Sequence, residues 1–178
     1  GQIWMAENLK VTHYRNGDSI PIITDNTDWS KIEVGAYCNY DNDENNVKTY
    51  GRLYNWYAVD DKRGLAPNGW HIPTDDEIKA LEMYLGMSQE EADDGGFRGT
   101  NEGSKLAGRA DLWTDGYLKD NAEFGTSGFN LLPGGDRSSN SGGYYYMGYG
   151  GYFWSSRGDE VYSRYAGNRE LGCSHSEV

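Results

Sequence analysis

The chain has 178 residues, of which 37% are apolar and 14% aromatic, and its formal net charge is −12 at pH 7. This length fits a single domain over residues 1–178, with a core built from a few large rings. The negative charge, with no basic run to offset it, argues against nucleic acid as a partner. No stretch approaches the roughly 20 apolar residues of a membrane span, so we expect no membrane span in this segment.

The first predicted elements are two strands. The segments "GAYCNY" (35–40) and "YGRLYNWYAV" (50–59) are rich in aromatic residues, which is typical of strands. The polar run "DNDENNVK" (41–48) between them predicts a turn. The side chains expected to point inward are Tyr50, Leu53 and Trp56.

The polar run also contains a candidate calcium loop. Asp41, Asp43 and Asn45 have the alternate spacing of the first ligands of an EF-hand. An EF-hand would continue with glycine at position 46 and glutamate at 52, but the chain has Asn46 and Arg52. We therefore interpret the run as a solvated turn and predict no cofactor and no metal, with Ca²⁺ as the alternative.

The clearest predicted element is a helix over residues 74–85. Thr74 and Glu77 have the spacing of a capping box, and Gly86 suits the residue after the helix end. Ile78, Leu81 and Leu85 would share the buried face. His71 precedes the cap, and we expect it to make a structural hydrogen bond; the other histidines are scattered singly, without zinc-binding spacing.

A weaker helical pattern lies in "TNEGSKLAG" (100–108). We expect Leu106 and Ala107 to dock there, with Thr100, Glu102 and Lys105 facing water. Strand patterns follow at "GFNLLPGGDR" (128–137) and "GYFWSS" (151–156). Strands on either side of central helices predict an α+β fold. The side chains expected to share one core are Trp56, Trp70, Leu81, Leu131 and Trp154.

The stretch "GGYYYMGYGGYFWSS" (142–156) contains seven aromatic residues and five glycines. Tyr152 and Trp154 are two residues apart, so we expect them on one buried face and Phe153 on the other. The preceding glycines allow only a short strand. Three consecutive tyrosines cannot all point inward, and we expect at least one of 144–146 to present its ring to a ligand.

Six segments of the chain resemble one known family. They are "WMAENL" (4–9), "YGRLYNWYAV" (50–59), "LAPNGWHIPTDDE" (65–77), "GTNEGSKLAG" (99–108), "GFNLLPGGDR" (128–137) and "YFWSS" (152–156). Together they are similar to the Fibrobacter succinogenes major paralogous domain, a module of secreted and surface proteins in Bacteroidetes and Fibrobacteres. The resemblance implies a C-type lectin-like fold of the formylglycine-generating-enzyme type, and an extracellular or cell-surface location.

The two cysteines, Cys38 and Cys173, have no motif around them, so the residues alone allow either one disulfide or two separate thiols. The family pattern begins about a strand earlier and continues beyond the last residue, to a cysteine that would pair with Cys38. The resemblance therefore implies a segment trimmed at both ends, in which Cys38 is buried and not bonded to Cys173.

The residues after "WSS" form no apolar period, and we predict a loop-built binding surface there. In related lectin-like proteins the corresponding surface is diversified by retroelements through adenine mutagenesis, and the composition of 157–178 agrees with that process. Diversification is therefore a further hypothesis. The candidate ligand-binding residues are Tyr144, Tyr145, Arg157, Asp159, Tyr162, Arg164, Tyr165, Asn168, Arg169 and His175.

These observations favour a non-enzymatic, adhesin-like module of a bacterial secreted, cell-surface or pilus protein. Its partner would be a host or bacterial surface protein or a glycan, and neighbouring domains of a longer protein are further candidate partners. A structural spacer or assembly domain is the alternative, and a glycan-active enzyme is the third. We predict no catalytic residues, because neither Cys38 nor Cys173 has a local signature of a nucleophilic site.

Overall fold

Two short strands lie among the first helices of the chain, a run of helices follows, and four strands come last. The computed structural model describes residues 1–156 and 167–178. Within these ranges the helices are α1 (Asn26–Lys31), α2 (Glu44–Tyr50), α3 (Trp56–Val59), α4 (Asp75–Leu85), α5 (Gln89–Asp93), α6 (Glu102–Leu106) and α7 (Tyr117–Asp120). The strands are β1 (Tyr37–Cys38), β2 (Leu53–Tyr54), β3 (Gly134–Arg137), β4 (Tyr144–Met147), β5 (Gly150–Ser155) and β6 (Gly167–Gly172). The predicted mixture of helix and small sheets is confirmed. None of the helices in the described ranges has the length and hydrophobicity that a bilayer crossing requires.

Helix α4 has the ends that the sequence predicts. The Thr74 hydroxyl accepts a hydrogen bond from the Glu77 amide at 3.2 Å, and the Glu77 carboxylate accepts one from the Thr74 amide at 2.9 Å. These two bonds form the predicted capping box. Gly86 ends the helix with a φ of 130°, which favours glycine. The His71 ring also donates to Glu77, at 2.9 Å, so its predicted structural hydrogen bond is confirmed.

The segment between β1 and β2 is helical, and the prediction of a polar turn there was wrong. Asp43 starts α2 by accepting a hydrogen bond from the amide of Asn45 at 2.9 Å. Asn55 caps α3 in the same way, so helix replaces the last part of the second predicted strand. The polar composition of 41–48 favoured a turn and the aromatic composition of 50–59 favoured a strand, but the caps at Asp43 and Asn55 start a helix in each segment.

Two antiparallel hairpins follow near the end of the chain, β3 with β4 and β5 with β6. The expectation that residues after "WSS" have no core pattern was wrong for β6. Arg169 and Leu171 are buried, whereas Asn168 and Glu170 are exposed. This alternation is typical of a half-buried strand, but the charge of arginine concealed it in the sequence.

Among the described residues the buried apolar side chains form three clusters, so the prediction of one shared core was wrong. Leu81 and Leu131 lie in the first cluster. Trp56 and Trp154 pack against the second, with their ring centroids 5.8 Å apart. Phe153, between Tyr152 and Trp154, packs against the first cluster. Strand β5 therefore contacts two clusters through the adjacent side chains of Phe153 and Trp154, as we predicted for its two faces. Tyr152, which we predicted on the buried face with Trp154, is only half-buried and belongs to none of the clusters.

The third cluster contains the first cysteine. Cys38 is completely buried beside Trp29 and Ala36, which confirms its predicted burial. It is a free thiol, as is the half-buried Cys173. Burial raises the pKa of the Cys38 thiol, and Arg137 opposes this only in part. A buried, protonated thiol is a poor nucleophile, so Cys38 is a packing residue.

A buried ion network joins α4 to β6. The Glu82 carboxylate is completely buried and accepts hydrogen bonds from Arg98 and from Arg169, each at 2.8 Å. Arg169 also donates to Asp75 at 2.7 Å. Burial alone would lower the pKa of Arg169, but its bonds to Glu82 and Asp75 hold that pKa above the ordinary value. The network fixes β6 against the helix.

Helix α6 docks Leu106 and Ala107 as predicted, but Glu102 faces inward. Its carboxylate accepts hydrogen bonds from the amides of Thr100 at 2.7 Å and Asn101 at 3.1 Å. The prediction that Glu102 faces water was wrong, because these amides replace the hydrogen bonds that water would make.

Candidate ligand-binding surface

Three neighbouring tyrosines are exposed where the β3–β4 hairpin leads into β5. Tyr145 and Tyr146 lie on β4 and Tyr149 in the following turn, and they are 45%, 59% and 54% exposed. Tyr54, in contrast, is buried. Tyr145, Tyr146 and Tyr149, together with Tyr152 on β5, form what we call the tyrosine surface. Aromatic rings of this kind supply contact area at low conformational cost.

Glycines two positions before a tyrosine make room for its ring. A Cβ atom added to Gly143 would lie 3.0 Å from the Tyr145 hydroxyl oxygen, and one added to Gly150 would lie 2.8 Å from the Tyr152 ring. Gly150 and Tyr152 are two residues apart in β5 and share a face, whereas Gly143 directly precedes β4 and lies beside the Tyr145 ring. The glycines of this stretch therefore position the tyrosine rings.

The backbone of Tyr146 is in the left-handed region, with a φ of 65°. This conformation costs a residue with a side chain roughly 1 to 2 kcal/mol, whereas glycine adopts it freely. The ring centroid of Tyr146 lies 6.1 Å from that of Tyr145 and 6.5 Å from that of Tyr152. Glycine would be more stable than tyrosine in this backbone conformation. The local backbone therefore does not account for the exposed tyrosine at position 146.

Tyr144, the first tyrosine of the stretch, connects the β3–β4 hairpin to the segment before α2. Its hydroxyl donates to Asn42 at 2.8 Å, and its ring lies 5.2 Å from that of Tyr40. The Arg137 guanidinium lies 4.7 Å from the Tyr144 ring centroid. Burial, followed by the neighbouring Cys38, raises the pKa of the Tyr144 hydroxyl. Tyr144 therefore supports the hairpin, although we predicted it as a ligand-binding residue.

Two carboxylates accompany the tyrosine surface. Asp136 lies opposite Tyr145 in the β3–β4 ladder, and Glu170 lies opposite Tyr152 in the β5–β6 ladder. The Tyr152 hydroxyl donates to Glu170 at 3.2 Å. Burial, and secondarily the charge of Glu170, raises the pKa of the Asp136 carboxyl. The same two causes raise the pKa of the Tyr152 hydroxyl.

A groove of about 950 Å³ adjoins this surface, and we call it the hairpin groove. Its volume lies within the range of small-molecule sites. Tyr152, Trp154 and Asn168 contribute to its wall, and Trp154 is fixed by donating its indole N–H to the Tyr54 carbonyl at 2.9 Å. The other lining residues are 29–33, 52–57, 135–139 and Phe153.

A second cavity, of about 820 Å³, lies along the N-terminal segment and shares Tyr152, Phe153 and Trp154 with the hairpin groove. Trp70, which we predicted in the core, is half-buried and lines this cavity. Trp4 lies beside it as well and packs edge-on against Phe129 at 5.3 Å. Strand β5 therefore lines both cavities, and two of the shared residues, Phe153 and Trp154, also pack against the clusters.

The structure gives different roles to the sequence-predicted binding residues. Tyr145 and Asn168 are exposed. Arg169 was predicted on the binding surface, but it is buried in the ion network, because alternate residues of β6 face inward. The half-buried His175 stacks on Phe97 at 4.3 Å. The remaining predicted residues lie outside the described ranges: Arg157, Asp159, Tyr162, Arg164 and Tyr165.

Two of the candidate calcium ligands, Asp41 and Asp43, belong to the local structure at the start of α2. Asp43 is the N-cap of α2, and its Oδ1 accepts hydrogen bonds from both the backbone and the side-chain nitrogen of Asn45. Asp41 lies in the preceding 3-10 turn with a φ of 53°. In residues 1–156 and 167–178, no group of three His, Cys, Asp or Glu side chains is arranged to hold a metal.

Tyr149 and Tyr152 belong to the tyrosine surface, and Asp136 and Glu170 lie on strands beside it, but none of the four was among the predicted binding residues. The spacing of glycine and tyrosine at 143/145 and 150/152 is a signal that would have indicated rings lying on strands. The two carboxylates had no such signal, because Asp136 lies on β3 and Glu170 on β6, and these strands come near each other only because β3 packs beside β5 and β5 pairs with β6.

Comparisons with known proteins identify the family. Searches of curated proteins and of solved structures give no significant match. The model of the Fibrobacter succinogenes major domain matches residues 1–172. That range includes every helix and strand described above. The chain therefore belongs to the Fibrobacter succinogenes major domain family.

Proposed function

We propose that this domain is a non-enzymatic, adhesin-like binding module of a bacterial secreted, cell-surface or pilus protein. Its ligand would be a protein or a glycan of a host or bacterial surface, bound at the tyrosine surface and the adjoining hairpin groove. The family resemblance also supports a C-type lectin-like fold of the formylglycine-generating-enzyme type as part of this proposal.

The exposed, left-handed Tyr146 is the observation that carries the proposal. Its backbone favours glycine, its ring is not needed to fill a core cluster, and it lies within reach of two further tyrosine rings. Strained residues cluster at functional sites. Tyrosine is also among the residues that dominate binding energy at interfaces.

The groove supports a ligand that extends beyond the rings. Tyr152 belongs to both the tyrosine surface and the groove wall, so a chain-like ligand can contact both. Aromatic side chains with a few polar groups are the usual lining of ligand sites. Asn168 supplies an exposed amide beside Trp154, its partner in the β5–β6 ladder.

The proposal is tested with glycan and protein arrays probed with wild type and with the variants Tyr145→Ala and Tyr146→Ala. Each variant should weaken capture of a bound ligand about 30-fold, the equivalent of a truncated anchor worth about 2 kcal/mol. Tyr84→Ala is the matched control, because Tyr84 is an exposed tyrosine on α4, outside this surface. A ligand captured equally by all three variants would refute the site.

The diversification hypothesis belongs to the same proposal and concerns residues 157–178. Its support is composition, and much of that segment lies outside the described residues. The gene provides the test: near-copies of the region encoding 142–178, beside a reverse transcriptase, should differ at adenines. Identical copies, or no copies, would remove this part of the proposal.

A spacer or assembly domain is the second candidate function. Ile3 and Tyr117 are strongly exposed apolar side chains away from the tyrosine surface. Such residues can pack against neighbouring domains or copies. Light scattering over a wide range of protein concentrations distinguishes the two functions, because assembly predicts oligomers that Tyr117→Ala weakens.

A further inference from the structure

The second cavity has the size of a ligand site and a wall rich in aromatic rings. It has a volume of about 820 Å³ and lies along residues 1–9, so we call it the N-terminal cavity. Sites for small molecules have this size, and most are lined by aromatic and apolar side chains with a few polar groups. Trp4, Trp70 and Phe129 line the cavity, and each is only half-buried. Their side chains are therefore accessible to a ligand.

Trp4 is held in place from two sides. Its ring packs edge-on against Phe129, with the centroids 5.3 Å apart. Its indole N–H donates to Oε1 of Gln2 at 3.3 Å, and the Gln2 amide donates to the Glu77 carbonyl of α4 at 2.9 Å. A ring that is already fixed loses little conformational freedom when a ligand stacks on it.

Two polar residues lie on the cavity wall next to these rings. Asn130 follows Phe129 in the chain, and Arg109 follows Gly108. A parallel β-bridge joins the two segments, and a Cβ atom added to Gly108 would lie 2.7 Å from Cα of Asn130. Only glycine allows so close an approach, so Gly108 brings the two segments together. Arg109 and Asn130 both line the cavity.

The backbones of both polar residues are left-handed. The φ angles of Arg109 and Asn130 are 54° and 66°. Asparagine adopts this conformation more readily than most residues with a side chain, but arginine does not. Strained residues cluster at functional sites. The left-handed Arg109 in a cavity wall therefore indicates a function for its side chain.

Both side chains have hydrogen-bonding groups to offer a ligand. Arg109 donates from Nε and Nη2 to the two carboxylate oxygens of Asp111, at 2.9 and 2.8 Å, which leaves Nη1 as a further donor. The Asn130 side-chain amide has no hydrogen-bond partner within residues 1–156 and 167–178. Both residues are exposed, so water satisfies these groups in the free protein. A ligand that covers them must replace those hydrogen bonds.

The wall leaves little charge for a ligand to neutralise. Apart from Lys48, each acidic or basic side chain of the wall is already bonded to a side chain of the opposite type. These pairs are Lys10–Glu7, Arg52–Glu44, His71–Glu77 and Arg109–Asp111. A neutral ligand with several polar groups therefore suits the cavity better than an ion does.

A hexose in its ring form has these properties. One face of a pyranose ring carries C–H groups, which pack on the negative face of an aromatic ring. Its hydroxyl groups both donate and accept, so they match the Arg109 donor and both ends of the Asn130 amide. A wholly apolar ligand would cover the same groups without replacing their hydrogen bonds, which is unfavourable.

We propose that the N-terminal cavity binds one hexose unit of a neutral glycan. Trp4 is the ring on which the sugar stacks, and Arg109 and Asn130 are its hydrogen-bonding partners. The inference goes beyond the proposed function, because it uses none of the three exposed tyrosines of the tyrosine surface. The failure of either proposal leaves the other standing.

The experiment is an NMR titration of the ¹⁵N-labelled domain with the methyl glycosides of glucose, galactose and mannose. At least one of them should shift the Trp4 indole N–H and the Asn130 side-chain amide, with a Kd of about 1 to 10 mM for so small a ligand. Three control probes each lack one property: sorbitol has no ring, cyclohexanol has a single hydroxyl group, and the methyl glycoside of glucuronic acid is charged. Each should bind about tenfold more weakly or not at all.

Variants identify the groups responsible. Asn130→Gly and Arg109→Gly remove the side chains but suit the left-handed backbone, so each should weaken sugar binding about fivefold or more without lowering the melting temperature. Asp41→Gly is the matched control, because Asp41 is also left-handed, with a φ of 53°, and is not part of the cavity wall. Tyr145→Ala should bind the sugar as wild type does.

Three results would overturn the inference. The first is that no neutral glycoside shifts the signals of Trp4 and Asn130. The second is that a control probe shifts them as strongly. The third is that Asp41→Gly weakens binding as much as Asn130→Gly does. If a glycoside binds but shifts Tyr145 and Tyr146 instead, the proposed function is supported and the site in the N-terminal cavity is wrong.

Discussion

Arg169→Met should destabilise the fold strongly, although we first predicted Arg169 as a binding residue. The substitution keeps a long side chain but removes both hydrogen bonds, to Glu82 at 2.8 Å and to Asp75 at 2.7 Å. The completely buried Glu82 would then keep only Arg98 as its cationic partner. Removing one member of a buried ion network typically costs about 3 to 5 kcal/mol.

The assay is thermal unfolding followed by circular dichroism. In a domain of this size each kcal/mol lowers the melting temperature by about 2 to 4 °C, so the expected decrease is about 6 to 20 °C. Arg109→Met is the matched control, because Arg109 forms an exposed pair with Asp111, and pairs of that kind contribute little. If Arg169→Met melts within about 2 °C of wild type, the reasoning about the network is refuted.

Three further predictions concern other residues. Trp154→Ala should cost about 3 kcal/mol of folding stability, measured by urea unfolding, because the half-buried ring packs on Trp56; an unchanged midpoint would contradict this. Asp136→Asn should raise the melting temperature at pH 7 and lose this advantage near pH 3. The raised pKa means that the charged carboxyl, beside Glu170, destabilises the fold; equal melting of both proteins at pH 7 would contradict it. Millimolar Ca²⁺ or a chelator should leave the melting temperature unchanged, whereas Asp43→Ala should cost about 1 kcal/mol through loss of the α2 cap; a large Ca²⁺-dependent increase would contradict this.

The sign of the Asp136 effect follows from the direction of its shift. A carboxyl whose pKa is raised in the folded state is protonated more readily there than in the unfolded chain. Folding is therefore favoured at low pH and loses stability as pH rises from the ordinary pKa to the raised one. Asparagine carries no charge at any pH, so it lacks this loss. Tyr152, with its own raised pKa, remains protonated throughout the range that the experiment covers.

Where a pattern was local, the sequence predicted the structure well. Thr74, Glu77 and Gly86 determine the ends of α4 through contacts within a few residues of one another. The alternation of Phe153 and Trp154 likewise follows from strand geometry alone. The short helix at 44–50 was missed because its polar composition favours a turn, and the one at 56–59 because its aromatic composition favours a strand; a single cap residue begins each helix.

Features that depend on distant pairing could not be predicted. Arg169 is buried because Glu82 and Asp75, about ninety positions earlier, supply its partners. Asp136 and Glu170 approach each other only because β5 pairs with β6 and packs beside β3. A charged residue in a sequence indicates a surface position until its partner is known, and no local pattern identifies that partner.

The most direct test of the central claim is an aromatic NMR spectrum of the domain with ¹³C-labelled tyrosines, recorded with and without the array-captured ligand. Single phenylalanine variants assign each signal. The account predicts that the ligand changes the signals of Tyr145, Tyr146 and Tyr152 and leaves those of Tyr84 and Tyr117 unchanged. Changes confined to Tyr84 or Tyr117, with the signals of the tyrosine surface unaffected, would contradict it.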